Sequence, residues 1–105
     1  MPKKSLGTLT ESMFYVLLSM RGMSYLCGTE IAARIREIGG GAVEIGPATL
    51  YTVLGRFEKE GYIEEIEVSG RKRTYRITQV GLNAYLEELE RLSRCLLDAQ
   101  KLERS

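Results

Sequence analysis

The segment Gly46–Gly61 constrains this chain more than any other. It reads Gly-Pro-Ala-Thr-Leu-Tyr-Thr-Val-Leu-Gly-Arg-Phe-Glu-Lys-Glu-Gly. Pro47 suits a first helical position, where its missing N–H would have no partner anyway. Gly61 suits the left-handed turn in which helices commonly stop. Between them Leu50, Val53, Leu54 and Phe57 recur at i, i+3, i+4 and i+7, the spacing of one buried helical stripe. The segment predicts a helix with its apolar side on a core.

The opposite side carries the information about function. At 100° per residue, Ala48, Thr52, Gly55 and Lys59 lie across from the apolar stripe. Thr49 and Arg56 flank them on one edge and Tyr51 on the other. That face is slim at its centre and polar or cationic at its edges. A glycine inside a helix costs about 1 kcal/mol relative to alanine. Close approach of something to the backbone is one reason to keep it, and a DNA major groove about 12 Å wide admits such a helix. An ordinary surface helix with small residues satisfies this stretch equally well.

The rest of the sequence sets bounds. At 105 residues the chain is one domain of ordinary size. The net charge of +1 gives no global basic field, so nucleic-acid binding requires local charge. Cys27 and Cys95 are too few and too far apart for a metal site or disulfide framework, and fit reduced thiols in a cytoplasmic protein. No histidine is present, which removes the commonest general base and metal ligand. With no nucleophile motif or phosphate-binding glycine loop, the sequence reads as a non-enzyme without metal or cofactor. No run reaches about 18 apolar residues, so no membrane contact is expected.

Residues 1–7 read as a short lead. Thr8 with Glu11 offers a capping box and Thr10 a second possible cap. The helix that follows, to about Arg21, is apolar on most sides through Met13, Phe14, Val16, Leu17, Leu18 and Met20. Such a helix is normally covered on both sides. Tyr15 reads as an anchored core tyrosine. Gly22 ends the helix and Met23–Cys27 reads as a connector. A second helix opens at Gly28, with Thr29 as its expected cap. Ile31, Ala32, Ile35 and Ile38 are its buried stripe, and Arg34, Arg36 and Glu37 face water. Gly39-Gly40-Gly41 is a loop, and Val43–Ile45 suggests a short extended piece. Two helices joined by about eight residues resemble a helix-turn-helix, whose usual turn is shorter.

Tyr62–Ile77 reads as a hairpin. Ile66 and Val68 alternate with glutamates on the outgoing strand. Ser69-Gly70-Arg71-Lys72 forms the turn. On the return, Tyr75 and Ile77 share one face and Thr74 and Arg76 the other. Gly70, Arg71, Lys72 and Arg73 make a basic tip beside the slim helix. Such a tip is either a solvated turn or a ribbon reaching flanking phosphates or the minor groove.

Thr78 caps the last expected helix, from Gln79 to about Leu102. Leu82, Tyr85, Leu89, Leu92, Leu96 and Ala99 step by 3, 4, 3, 4, 3 along a heptad seam, widened by Leu86 and Leu97. Glu87 with Arg91 and Glu90 with Arg94 are favourably oriented i, i+4 pairs. At about 37 Å, this helix outruns the 78 residues ahead of it. Its far end, Leu92–Leu102, either meets a second copy in a two-fold homodimer or folds back on the first helix.

Leu9–Leu18 and Gly28-Thr29-Glu30-Ile31 resemble the opening of the PadR family of transcriptional regulators. Gly46–Ile63 resembles the family's signature most closely. Arg71–Thr78 with Gly81 resembles its wing and the entry to its last helix. The single short C-terminal helix is similar to the smaller subfamily. The resemblance implies a mainly α fold with a small β-hairpin (α+β). Residues 1–78 would form a winged helix-turn-helix DNA-binding domain, and residues 79–105 a C-terminal dimerisation helix. It further implies a homodimeric repressor on a pseudo-palindromic double-stranded DNA operator. Thr49, Tyr51 and Arg56 would lie on the recognition surface and Lys72 and Arg73 on the wing. Two recognition helices would enter successive major grooves about 34 Å apart. Some relatives sense small aromatic molecules between their subunits, one through a tryptophan on the last helix. This chain has no tryptophan, so that role transfers to no residue here. Tyr85 or Met13 could line such a space, with core packing the simpler role. The alternative is a winged-helix protein-interaction module that does not bind DNA.

Overall fold

A computed structural model describes residues 8–66 and 73–104. The elements are α1 (Glu11–Met20), β1 (Leu26–Cys27), α2 (Gly28–Ile38), α3 (Pro47–Glu60), β2 (Ile63–Ile66), β3 (Thr74–Ile77) and α4 (Gln79–Glu103). The three strands form one antiparallel sheet in the order β1-β3-β2. This is the winged-helix arrangement expected from the sequence, followed by a long last helix.

Helix α1 starts at the second of the two candidate caps: the Thr10 hydroxyl accepts the Met13 amide at 3.2 Å. Gly22, at φ +79°, turns the chain out of α1. The core comes from all the helices and the sheet. Val16, Leu17 and Met20 meet Ile31 and Ile35, and the whole predicted α3 stripe of Leu50, Val53, Leu54 and Phe57 is buried with them.

Five local expectations are corrected. Leu26–Cys27 is a strand, not a connector, because β3 offers it a partner: Leu26 pairs with Tyr75 and Cys27 with Thr74. Val43–Ile45 belongs to no strand. Helix α2 is capped at Cys27, not Thr29. The Glu30 carboxylate reaches back to accept the Cys27 amide at 2.8 Å, and the Cys27 thiol lies 3.2 Å from the Thr29 hydroxyl. Arg34 turns inward, its Nε donating to the Ser19 carbonyl at 2.7 Å. That carbonyl ends α1, where a cation is favoured. The buried Ser19 hydroxyl donates to the Val16 carbonyl at 2.7 Å. Ile38, the last residue of α2, is exposed.

The junction of α3, the sheet and α4 is built from backbone. The Tyr62 carbonyl accepts the Thr78 amide at 3.0 Å. The Thr78 hydroxyl lies 2.6 Å from the Gly61 carbonyl and accepts the Gly81 amide at 3.1 Å. One side chain therefore caps α4 and ties its start to the end of α3.

Candidate nucleic-acid interface

Helix α3 is fixed at both ends by signals in its own sequence. Gly46 is extended at the N-cap and Pro47 occupies the first turn. At the other end Gly61 adopts φ +80°. Its amide donates to the Glu58 carbonyl at 3.1 Å, and the Tyr62 amide donates to the Phe57 carbonyl at 2.8 Å. This paired closure is the Schellman arrangement. With the apolar stripe buried, Ala48, Thr49, Tyr51, Thr52, Gly55, Arg56 and Lys59 are all exposed along α3. The structure therefore gathers every residue singled out on this helix onto one open face.

Three details define its chemistry. A Cβ built on Gly55 meets nothing within 4 Å, so among the described residues no neighbour requires a glycine there. The Thr52 hydroxyl donates to the Ala48 carbonyl at 2.9 Å. Its proton is thereby committed to the helix, leaving a methyl group and acceptor lone pairs on offer. Arg56 is half exposed, with Nε 3.8 Å from the Glu60 carboxylate. A pair this long and this wet holds the guanidinium weakly. Tyr51, also half exposed, lies against Gly28 at the start of α2.

The hairpin pairs Ile63 with Ile77, Glu64 with Arg76, Glu65 with Tyr75 and Ile66 with Thr74. This register sets the acidic strand against the basic one. Arg73 grips Glu65 with two nitrogens, Nη2 to Oε1 at 2.6 Å and Nε to Oε2 at 3.1 Å. The hydrogen bonds hold the Glu65 carboxyl below its ordinary range and raise the Arg73 guanidinium further above its own. Arg76 Nε donates to Glu64 at 2.5 Å. Both charge runs are visible in the sequence, but their pairing is not. The cross-strand register supplies the pairing. Gly70, Arg71 and Lys72 lie outside the described residues.

The seam on α4 divides in two. Tyr85 is buried, its ring stacked on Phe14 of α1 at 5.4 Å and 20°, and Leu82 packs against the core beside it. Leu89, Leu92, Leu96 and Ala99 are exposed, as are Leu86 and Leu97. Arg91 pairs with Glu88, one helical turn back, rather than with Glu87: Nη2 meets Oε2 at 2.5 Å and Nε meets Oε1 at 3.0 Å. Glu88 is itself buried. The Arg91 hydrogen bonds hold its carboxyl below the usual range, aided by the Leu9 amide.

A slim exposed helix, a two-stranded wing and a long trailing helix define a winged-helix regulator class. The model of the transcriptional regulator PadR-like family matches residues 16–88, more than half of the chain. The chain belongs to that family, whose members are transcriptional regulators and not enzymes. A transcriptional regulator from Clostridium thermocellum is 28% identical, with a TM-score of 0.73 over 87% of this chain and 90% of that one. The PadR of Bacillus subtilis in complex with operator DNA shares the fold, at 21% identity and a TM-score of 0.66 over 76% of this chain and 47% of that one. An uncharacterized protein of Lysinibacillus sphaericus is 39% identical in an alignment of 66 positions that covers 59% of this chain and 60% of that protein. Among the described residues, no helix is long and apolar enough to cross a membrane.

Proposed function

We propose that this chain is a homodimeric repressor on a pseudo-palindromic operator. In this reading α3 enters the major groove, with Thr49, Thr52 and Arg56 at base edges or flanking phosphates and Tyr51 on a phosphate. Ala48 and Gly55 would allow the groove floor to come close, and Lys59 would sit at its edge. The wing cations, Arg73 with Arg71 and Lys72, would meet the backbone. Residues 1–78 form the DNA-binding unit, and α4 pairs two copies through Leu89, Leu92, Leu96 and Ala99. Leu82 and Tyr85 join that seam at its base. The observation that carries the reading is the open face of α3. Among the described residues, nothing near Gly55 on that face requires a glycine.

The operator complex of Bacillus subtilis PadR supports the DNA partner. A groove of about 290 Å³ between α1 and α4, walled by Phe14, Tyr15, Arg91 and Leu92, suits a small aromatic effector that releases the DNA. The test is direct. Duplexes selected from a random library by the wild-type chain should contain two inverted half-sites about one helical turn apart. Light scattering should give a dimer, and Leu92→Glu with Leu96→Glu should give a monomer with weakened operator binding. Selection that yields no enriched duplex at low salt would leave the protein-interaction module as the better reading.

A further inference from the structure

Gly28 is buried at the first position of α2, and its φ is not positive. Its backbone conformation therefore does not require a glycine, unlike that of Gly22 or Gly61. What requires it is a side chain from another helix. A Cβ there would lie 2.7 Å from the Tyr51 hydroxyl oxygen, 3.2 Å from Cζ and 3.4 Å from Cε1. The Tyr51 ring thus rests in the space that a side chain on Gly28 would fill. Yet Tyr51 is 52% exposed, so this seat contributes little to the core. Were Gly28 larger, the ring could swing into solvent, and the fold would be preserved. A glycine kept for a half-exposed ring points to the surface that the ring serves.

We infer that Gly28 is a positioning residue of the DNA interface, seating the Tyr51 ring against α2 so that its hydroxyl is already placed for operator contact. The inference rests on the DNA-binding reading above. A side chain held in its bound position loses less freedom on association than a free one. Gly28 acts through Tyr51 and touches no DNA itself. Its effect should vanish when Tyr51 is absent.

The experiment is a double-mutant cycle with Gly28→Ala and Tyr51→Ala, read by fluorescence anisotropy on duplexes selected by the wild-type chain. Gly28→Ala should bind about two- to tenfold more weakly. Its melting temperature should be unchanged or raised, since alanine narrows the unfolded ensemble. In the Tyr51→Ala background the same change should alter affinity less than about twofold, because the two residues act as one unit. The slope of log K against log salt should stay the same in Gly28→Ala, since no cationic contact is lost. Equal losses in both backgrounds would overturn the inference, as would a flattened salt slope. Tyr51→Phe keeps the ring and removes the hydroxyl. If it binds like wild type, the hydroxyl is not the contact and the inference falls. A wild-type chain that binds no duplex overturns the DNA-binding reading itself, and this inference with it.

Discussion

The carbonyl oxygen of Tyr62 occupies the space that a Cβ on Gly81 would take, with Ile77 Cγ1 closing the same space at 3.0 Å. The obstacle is backbone, already committed to the Thr78 amide, so it cannot rotate away as a side chain would. Gly81→Ala should therefore cost about 3 kcal/mol, at the upper end for overpacking. Calorimetry should show a melting temperature lowered by more than about 10 °C. A normal melting temperature would mean that α4 can slide along the α3–β2 corner.

Gly55 offers the opposite case. Open space surrounds its missing Cβ, so Gly55→Ala should stabilise the free protein by about 1 kcal/mol through helix propensity alone. The same variant should bind selected duplexes more weakly. Gly55→Leu should fold normally and lose binding by more than about tenfold. Stability and affinity moving in opposite directions is the expected signature. If Gly55→Leu binds like wild type, the close-approach argument fails.

These two glycines show what a sequence can and cannot display. Helix α3 was legible because its signals are local: Pro47 at the start, Gly61 at the end and four apolar residues at helical spacing between. The slim face followed from the same periodicity. Strand β1 was not legible, because two residues become a strand only when Thr74 and Tyr75 arrive beside them. Thr29 was the better cap by residue type, yet Cys27 caps α2 because Glu30 folds back onto its amide. On α4, periodicity identified which residues share a face but not what covers them. Phe14 takes Tyr85, while Leu92 and Leu96 remain open. The place of Tyr51 over Gly28 depends on how two helices cross, which neither helix encodes alone.

On the wing, Glu65 already holds Arg73, so in the proposed complex it would compete with DNA for that guanidinium. The pair is exposed, so releasing it should hardly affect the fold. Glu65→Gln removes the competing charge and leaves Arg73 available to a phosphate. Affinity for selected duplexes should rise severalfold at low salt, and the slope of log K against log salt should steepen by about 0.9. Replacing Arg71, Lys72 and Arg73 together by alanine should do the reverse, weakening binding to every sequence and flattening the slope. Anisotropy titrations across a salt series measure both. Unchanged slopes in both variants would remove the wing from the interface.

Glu88 has a different task, at the base of α4 where Leu9 and α1 come together. Its carboxylate is buried, takes two hydrogen bonds from Arg91 and accepts the Leu9 amide. Arg91 is the main cause of its lowered pKa, with burial opposing. A carboxyl whose pKa is lower folded than unfolded adds stability above its unfolded value. That stability is lost as pH falls through the folded value. Glu88→Gln keeps the shape and removes the charge, so it should lower the melting temperature at pH 7 by about 5 °C. The gap to wild type should narrow steadily once the pH drops below the ordinary glutamate range. Glu65 is lowered in the same direction by Arg73, but both proteins carry that pair, so the difference between them isolates Glu88. Melting curves of both proteins between pH 7 and strong acid measure the gap. A gap that stays constant into strong acid would mean that the stabilisation comes from shape rather than from the ionised carboxylate.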